Sequence, residues 1–243
     1  MLISAMIDWN EFAETATMMC SGILETLFMT LLSTLFGYIL GLPIGIILAV
    51  TNENGIKPDA KITIRFFRLW HIDIRVYKIL DVIVNIVRSV PFLILLILIM
   101  PLTKLIVGKS YGTAATVVPL TVAAAPFIGR MIESSLNEVD RGVIEAAQSM
   151  GASTMTIIIR VLLVEARTSI LVGVTIALGT ILGYSAMAGI VGGGGLGDIA
   201  MRYGYYRYES EIMIVAVVLL IILVQIFQTI GMKMSVKLDR RKR

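Results

Sequence analysis

The 243-residue sequence has one cysteine, Cys20, and one histidine, His71. A disulfide within the chain is therefore excluded, and neither residue has partners at metal-ligand spacing. Charge is scarce as well: 16% of residues are Asp, Glu, Lys or Arg, while 57% are hydrophobic. Soluble domains carry about 25% charged and about 45–50% apolar residues, so an ordinary water-soluble fold is excluded. The mean hydropathy of +0.89 agrees. Met1 to Glu14 hold no Lys or Arg and three acids, Asp8, Glu11 and Glu14. A secretory leader needs a basic start and a cleavage site after a short apolar core. Neither is evident, so the first apolar segment is expected to stay in the mature protein. The net charge of +4 is clustered beside apolar segments, and no nucleic-acid partner is expected.

Long apolar runs are what the sequence has in abundance. A helix needs about 20 mainly apolar residues to cross the hydrocarbon, because each residue rises about 1.5 Å and every backbone polar group must be satisfied internally. Five segments meet this condition: Gly22 to Val50, Ile79 to Val107, Tyr111 to Gly129, Thr168 to Leu196 and Ile212 to Met232. Glu25 lies in the first, and Asp81, Arg88 and Lys104 lie toward the ends of the second. No stretch between them is long enough for a separate soluble domain. The expectation is one domain over residues 1–243: an all-α, polytopic membrane helix bundle with five transmembrane helices.

Orientation follows from Lys and Arg, which favour the cytoplasmic side. The loop after the first segment holds Lys57, Lys61, Arg65, Arg68, Arg75 and Lys78. The loop after the third holds Arg130, Arg141, Arg160 and Arg167, and the tail holds Lys233, Lys237, Arg240, Arg241, Lys242 and Arg243. Together these are sixteen of the 21 basic residues. The amino terminus is expected outside and the carboxyl terminus in the cytoplasm, in a multi-pass protein of the cell membrane.

Small residues let helices approach closely in lipid. The first segment carries Gly37, Gly41 and Gly45, and the fourth carries Gly173, Gly179, Gly183 and Gly189 among alanines. Each row reads either as helix packing or, in the fourth segment, as room for a solute path. Pro43, Pro91, Pro101, Pro119 and Pro126 lie in or near the segments. Helix breaks persist in membranes only where protein or a water-lined cavity satisfies the freed backbone groups, which fits a transporter.

Two motifs imitate nucleotide chemistry. Gly192, Gly194 and Gly197 match G-x-G-x-x-G, which needs a strand before it and a helix after it. Here a membrane segment precedes it, so a flexible or tightly packed turn is the expectation. Gly108-Lys109-Ser110 resembles the end of a P-loop, but Thr103 stands where the first glycine belongs. If ATP drives this chain, another subunit supplies the ATP site. No nucleophile–base set or paired carboxylates appear, so the chain is not expected to be an enzyme. Glu25 and Arg88 are the best intramembrane ionisable candidates, being costly in lipid, though both lie near segment ends where snorkelling suffices. Deeper acids would favour an ion-coupled secondary carrier.

The stretch from Glu133 to Arg167 is the most informative. Asp140 is a plausible N-cap, and Val143, Ile144, Ala147 and Met150 recur at helical spacing before Gly151, a natural C-cap. Ser153 can cap a second helix with Ile157, Ile158, Val161 and Leu162 on its apolar face. The pair reads as two short amphipathic helices joined by a glycine turn, lying either on lipid or against a cytoplasmic partner.

Glu145-Ala146-Ala147, then Gly151 after three intervening residues, then Val161 and Leu163, resembles the EAA loop of ABC importer permeases. Val164 stands where that family has proline. The resemblance extends over nearly the whole chain and narrows to methionine-uptake permeases. It is carried by Glu25 to Thr30, Gly41 to Gly45, Asn85 to Phe92, Val118 to Ile128, Gly183 to Met187 and Gly194 to Gly197. It implies a coupling loop over about residues 138–167, with Glu145, Ala146, Ala147, Gly151, Val161 and Leu163 contacting a partner ATPase. It further implies two such ATPases, which would bind the ATP and magnesium, a second copy of this chain, and an external substrate-binding protein. No cofactor is expected in this chain itself. Gly183, Tyr184, Ser185 and Met187 resemble the family's pathway constriction, where a flexible thioether can fill and vacate a narrow gap. The implied function is ATP-driven uptake of an amino acid, methionine first, with another amino acid or small solute as the alternative. The loop from Thr51 to Lys78 is longer than is usual for the family.

Overall fold

The computed structural model describes residues 9–53, 55–58, 61–66 and 70–238. Asp8, weighed above against a secretory leader, and Arg68 and the basic residues at 240–243, used above for orientation, lie outside them. The expected all-α bundle is present, with one addition. The helices are α1 (Trp9–Thr51), α2 (Val76–Ser89), α3 (Phe92–Val107), α4 (Thr113–Asn137), α5 (Arg141–Ser149), α6 (Thr154–Ile157), α7 (Leu163–Glu165), α8 (Arg167–Ala188), α9 (Gly195–Ile199) and α10 (Ser210–Leu238). The addition is an antiparallel hairpin of β1 (Lys61–Phe66) and β2 (Trp70–Arg75), set in the long loop between α1 and α2.

Four helices, α1, α4, α8 and α10, are individually long and apolar enough to cross a bilayer. The 43 residues of α1 give about 65 Å of helix, twice the roughly 30 Å hydrocarbon thickness. Its first turns extend beyond the expected segment. There Met19 packs with Leu196, Ile199, Ala200 and Ala216 in a small second core. By contrast α10 buries only 6% of its apolar window, leaving Ile214, Val218, Ile221 and Ile222 exposed. A face of that composition is suited to lipid or to another apolar helix.

The second apolar segment, expected as one spanning helix, is two helices meeting at a sharp bend. Its halves, α2 and α3, meet at 106° across Val90 and Pro91. Proline has no N–H and forces the residue before it toward extended backbone; Val90 adopts φ −78° and ψ 124°. Pro91 O then accepts from the N–H groups of both Ile94 and Leu95 at 3.0 Å, restarting the helix. The halves have 14 and 16 residues, about 21 and 24 Å, so neither crosses the hydrocarbon alone. Pro43, Pro101, Pro119 and Pro126 lie inside continuous helices instead.

The bundle is centred on α1 against α4. A Cβ placed on Gly37 would stand 2.9 Å from Ala124 Cβ, and one on Gly41 would stand 2.7 Å from Ala125 O. The glycine row of α1 is thus a slot that receives α4, the packing reading of that motif. Leu120, Ala124, Ile128 and Ile132 of α4 form the middle of the main core with Met29 of α1 and Ala177 and Ile181 of α8.

Candidate functional site

The loop between α4 and α8 is built by local signals. Asp140 caps α5 by accepting from the Gly142 N–H at 2.6 Å, and Ser153 caps α6 by accepting from the Thr156 N–H at 3.3 Å. Between them Gly151 turns the chain with φ +77°, and no atom lies within 4 Å of where its Cβ would be. Left-handed backbone costs an L-residue about 1–2 kcal/mol, so glycine is required there by conformation rather than by space. After α6, a π-helical turn (Ile158–Leu162) leads into α7, and the chain continues helically through Ala166 to α8. Valine at 164 is half exposed, and no proline is needed for this exit.

The loop has an inner and an outer apolar set. Ala147, Ile157 and Leu162 are buried in the main core, with Ile144, Val161 and Leu163 packed against it. Val143, Met150, Met155 and Ile159 point away, and Met150 is 81% exposed. Glu145 and Ala146 are exposed beside them. Glu145 also borders a cleft of about 430 Å³ with Arg141, Gln148, Asn52 and Glu53. The candidate residues therefore divide. Ala147, Val161 and Leu163 anchor the loop to the bundle, while Glu145, Ala146 and the Gly151 turn face outward.

The expected pathway residues also separate. Gly183 has nothing within 4 Å of a Cβ, and Met187, one turn later, is 45% exposed. With Ile176, and with Ile190 in the turn just beyond the helix, they make an open stripe along α8. The Tyr184 ring stacks on Phe92 at 4.6 Å and 4°, tying α8 to the start of α3, next to the break. Ser185 faces the interior: it is buried and its Oγ donates to Leu182 O at 2.7 Å. It does not join the open stripe. Arg88, in the last turn of α2 where a cation suits the helix dipole, borders a cleft with Phe92, Phe127 and Tyr184.

Two polar arrangements stand out. Glu25 and Thr26 of α1 cap α9: Glu25 Oε2 accepts from the Gly195 N–H at 2.6 Å, and Thr26 Oγ1 accepts from the Leu196 N–H at 2.9 Å. Gly192 O accepts from the Gly112 N–H and Gly193 O from the Thr116 hydroxyl, so α4 holds the same turn. A Cβ on Gly194 would stand 2.6 Å from Thr113 Oγ1 and 2.7 Å from Glu25 Oε2. The glycine motif is thus a tightly packed turn, and Glu25 is a cap rather than a snorkelling group. The second arrangement was not anticipated. Arg130 of α4 reaches Asp81 and, at 3.0 Å, Asn85 Oδ1 of α2, and it pairs at 2.6 Å with Glu133, which is 5% exposed. Arg130 lies inside α4, not in the loop where its charge was counted. The signal was present: Asp81 and Asn85 at i,i+4, and Arg130 and Glu133 at i,i+3, each share a helix face.

Comparisons with known proteins agree with this architecture. Residues 70–243 match the family described as binding-protein-dependent transport system inner membrane component. A relative from Vibrio cholerae, called a probable D-methionine transport system permease protein MetI, is 46% identical over 99% of this chain and 100% of its own. One of the same description from Pasteurella multocida is 39% identical, over 90% of this chain and 94% of its own. A solved structure of the MetNI methionine ABC transporter in inward-facing conformations superimposes with a TM-score of 0.85 at 44% identity, covering 93% of this chain and 98% of that one. An amino acid ABC transporter solved with histidines shares the fold, with a TM-score of 0.73 at 20% identity. This chain belongs to the family of binding-protein-dependent transport system inner membrane components, and is a multi-pass transport permease.

Proposed function

We propose that the chain is the membrane-spanning subunit of an ATP-driven importer whose substrate is methionine. The similarity over nearly full length to permeases and a transporter described for methionine supports the substrate. In this reading two copies of the chain enclose the pathway, and two ATPase subunits bind ATP and magnesium at the α5 end. That end is cytoplasmic, as the basic residues of the first and third loops imply, and an external binding protein delivers substrate at the glycine-turn end. The chain itself hydrolyses nothing.

The observation that carries the coupling role is the outer face of the loop. A loop that only needed to satisfy its own bundle would bury its apolar residues, yet Val143, Met150, Met155 and Ile159 stand clear of it. Both helix caps and the Gly151 turn fix that face in one shape. Motion of an ATPase pressed against it would be passed through Ala147, Ile157 and Leu162 into the core of α4 and α8, rocking the bundle between two packings. An ion-coupled carrier is the rival that a buried acid such as Glu133 would favour. Here Glu133 is already paired with Arg130 at 2.6 Å, so it is not a free carboxylate for a coupling ion.

Gly151→Leu tests the coupling. The variant should reach the membrane in normal amount and should lose both uptake and the ability of Ser149→Cys, made in a Cys20→Ser background, to crosslink to the ATPase. Unimpaired uptake and crosslinking with the turn altered would overturn the coupling role.

A further inference from the structure

Arg88 is a cation in an apolar segment, and among the described residues no carboxylate pairs with it. Its neighbour across the α2–α4 joint is different: Arg130 is held by Asp81 and Glu133. An ionisable side chain inside a membrane segment ordinarily pairs with an opposite charge or faces a water-filled path. Arg88 is exposed, in the last turn of α2. The helix dipole accounts for a cation at that position, but not for what the side chain borders.

It borders a junction. Arg88 and Phe127 both line each of two adjoining clefts. The first, of about 220 Å³, is walled by Phe92, Leu95, Ala123 and Tyr184. The second, of about 320 Å³, passes Ser134, Glu138 and Ser169, at the ends of α4 and α8 nearest the loop that bears Gly151. An unpaired guanidinium thus stands between an aromatic chamber and a polar one.

We propose that Arg88 binds the carboxylate of the amino acid in transit, while the thioether side chain lies against Phe127 and Tyr184. This rests on the importer reading above and adds to it the residue that recognises the substrate. The planar guanidinium fork matches a carboxylate with two parallel hydrogen bonds. Sulfur packs favourably at aromatic ring edges, and Phe127 lies at the same junction as Arg88. An arginine already paired would have to give up its partner to take a substrate; Arg88 has none to give up among the described residues. The polar second cleft gives a departing zwitterion hydrogen-bonding groups on the way to the loop end.

A cysteine in the aromatic chamber reads occupancy directly. The full-length protein with its ATPase is reconstituted in nanodiscs, carrying Ala123→Cys in a Cys20→Ser background, and the rate of labelling of this chain by a small neutral maleimide is followed. Methionine should slow the labelling, and methioninamide, which lacks the carboxylate, should not. Arg88→Gln should raise the methionine concentration for half-protection about tenfold or more. Arg88→Lys, which keeps the charge without the fork, should fall between. Equal protection by methioninamide and methionine would overturn the proposal, as would undiminished protection in Arg88→Gln or no protection by any amino acid. The methioninamide comparison retains Arg88, so it decides even if the Gln variant fails to assemble. Protection by leucine or histidine but not methionine, lost in Arg88→Gln, would support the carboxylate anchor and contradict the methionine reading. No ATP is used, so failure of the coupling role leaves the result standing.

Discussion

A Cβ on Gly45 would stand 2.5 Å from Gly129 O and 2.6 Å from Ile132 Cβ, whereas one on Gly183 would meet nothing within 4 Å. The same residue type therefore does opposite work on α1 and α8. Gly45→Leu forces α4 away from α1, and overpacking of this kind costs about 1–3 kcal/mol. It should lower the melting temperature of the detergent-purified protein, while Gly183→Ala, free of any clash inside α8, should raise it slightly, because glycine within a helix is about 0.5–1 kcal/mol less favourable than alanine. Asp198, near the glycine turn, gives a pH-dependent expectation. Burial raises its carboxyl above the usual carboxylate range; Arg202 opposes the shift and Glu25 adds to it. An acid whose folded pKa is raised binds its proton more tightly when folded, so its contribution to stability is complete below the unfolded value of about 3.9 and is lost as pH rises through the raised value. Melting temperature followed across that window should fall with a component that Asp198→Asn lacks.

Among the elements, the joint between α2 and α4 is the one most exposed to a single change. Glu133 is buried and Arg130 is its counter-charge. Removing one partner of a buried pair costs about 3–5 kcal/mol, so Arg130→Leu should sharply reduce the yield of folded protein, and Arg130→Leu with Glu133→Leu should recover much of it. Expression followed by size-exclusion profiles in detergent reads both. This joint also marks where the sequence was hard to read. The apolar runs and the caps of α5 and α6 at Asp140 and Ser153 were legible, because hydropathy and capping are local properties. The 106° break was not, because Pro91 is one of five prolines in or near the apolar segments and the other four of these sit inside helices. Glu25 and Arg130 were visible only as charges near segment ends. Gly195, the partner of Glu25, lies 170 residues away, and Asp81, which Arg130 reaches, lies 49 away; the i,i+3 spacing of Arg130 and Glu133 marks a shared face, but no local pattern connects that face to α2. The hairpin was hidden for the opposite reason: its alternation lay within a loop with no known role.

At the scale of the whole molecule, a bundle locked by α1 and α4 carries a sharply bent helix pair and an open stripe on α8. The Phe92–Tyr184 stack joins the two next to the bend, so a shift of α8 would be felt where α2 and α3 meet. The loop bearing Gly151 continues helically into α8, which in the proposed function would give a partner ATPase mechanical access to the same helix. Ala147, Ile157 and Leu162 are the buried contacts that would transmit the motion. The central claim is that this chain moves methionine and draws its energy from a partner's ATP. The most direct test is uptake of labelled methionine into sealed vesicles holding this chain, its ATPase and its binding protein. The account predicts accumulation that requires ATP, competed by unlabelled methionine and abolished by Gly151→Leu. Accumulation driven by an ion gradient without ATP would contradict the importer, and ATP-dependent uptake that methionine fails to compete would contradict the substrate.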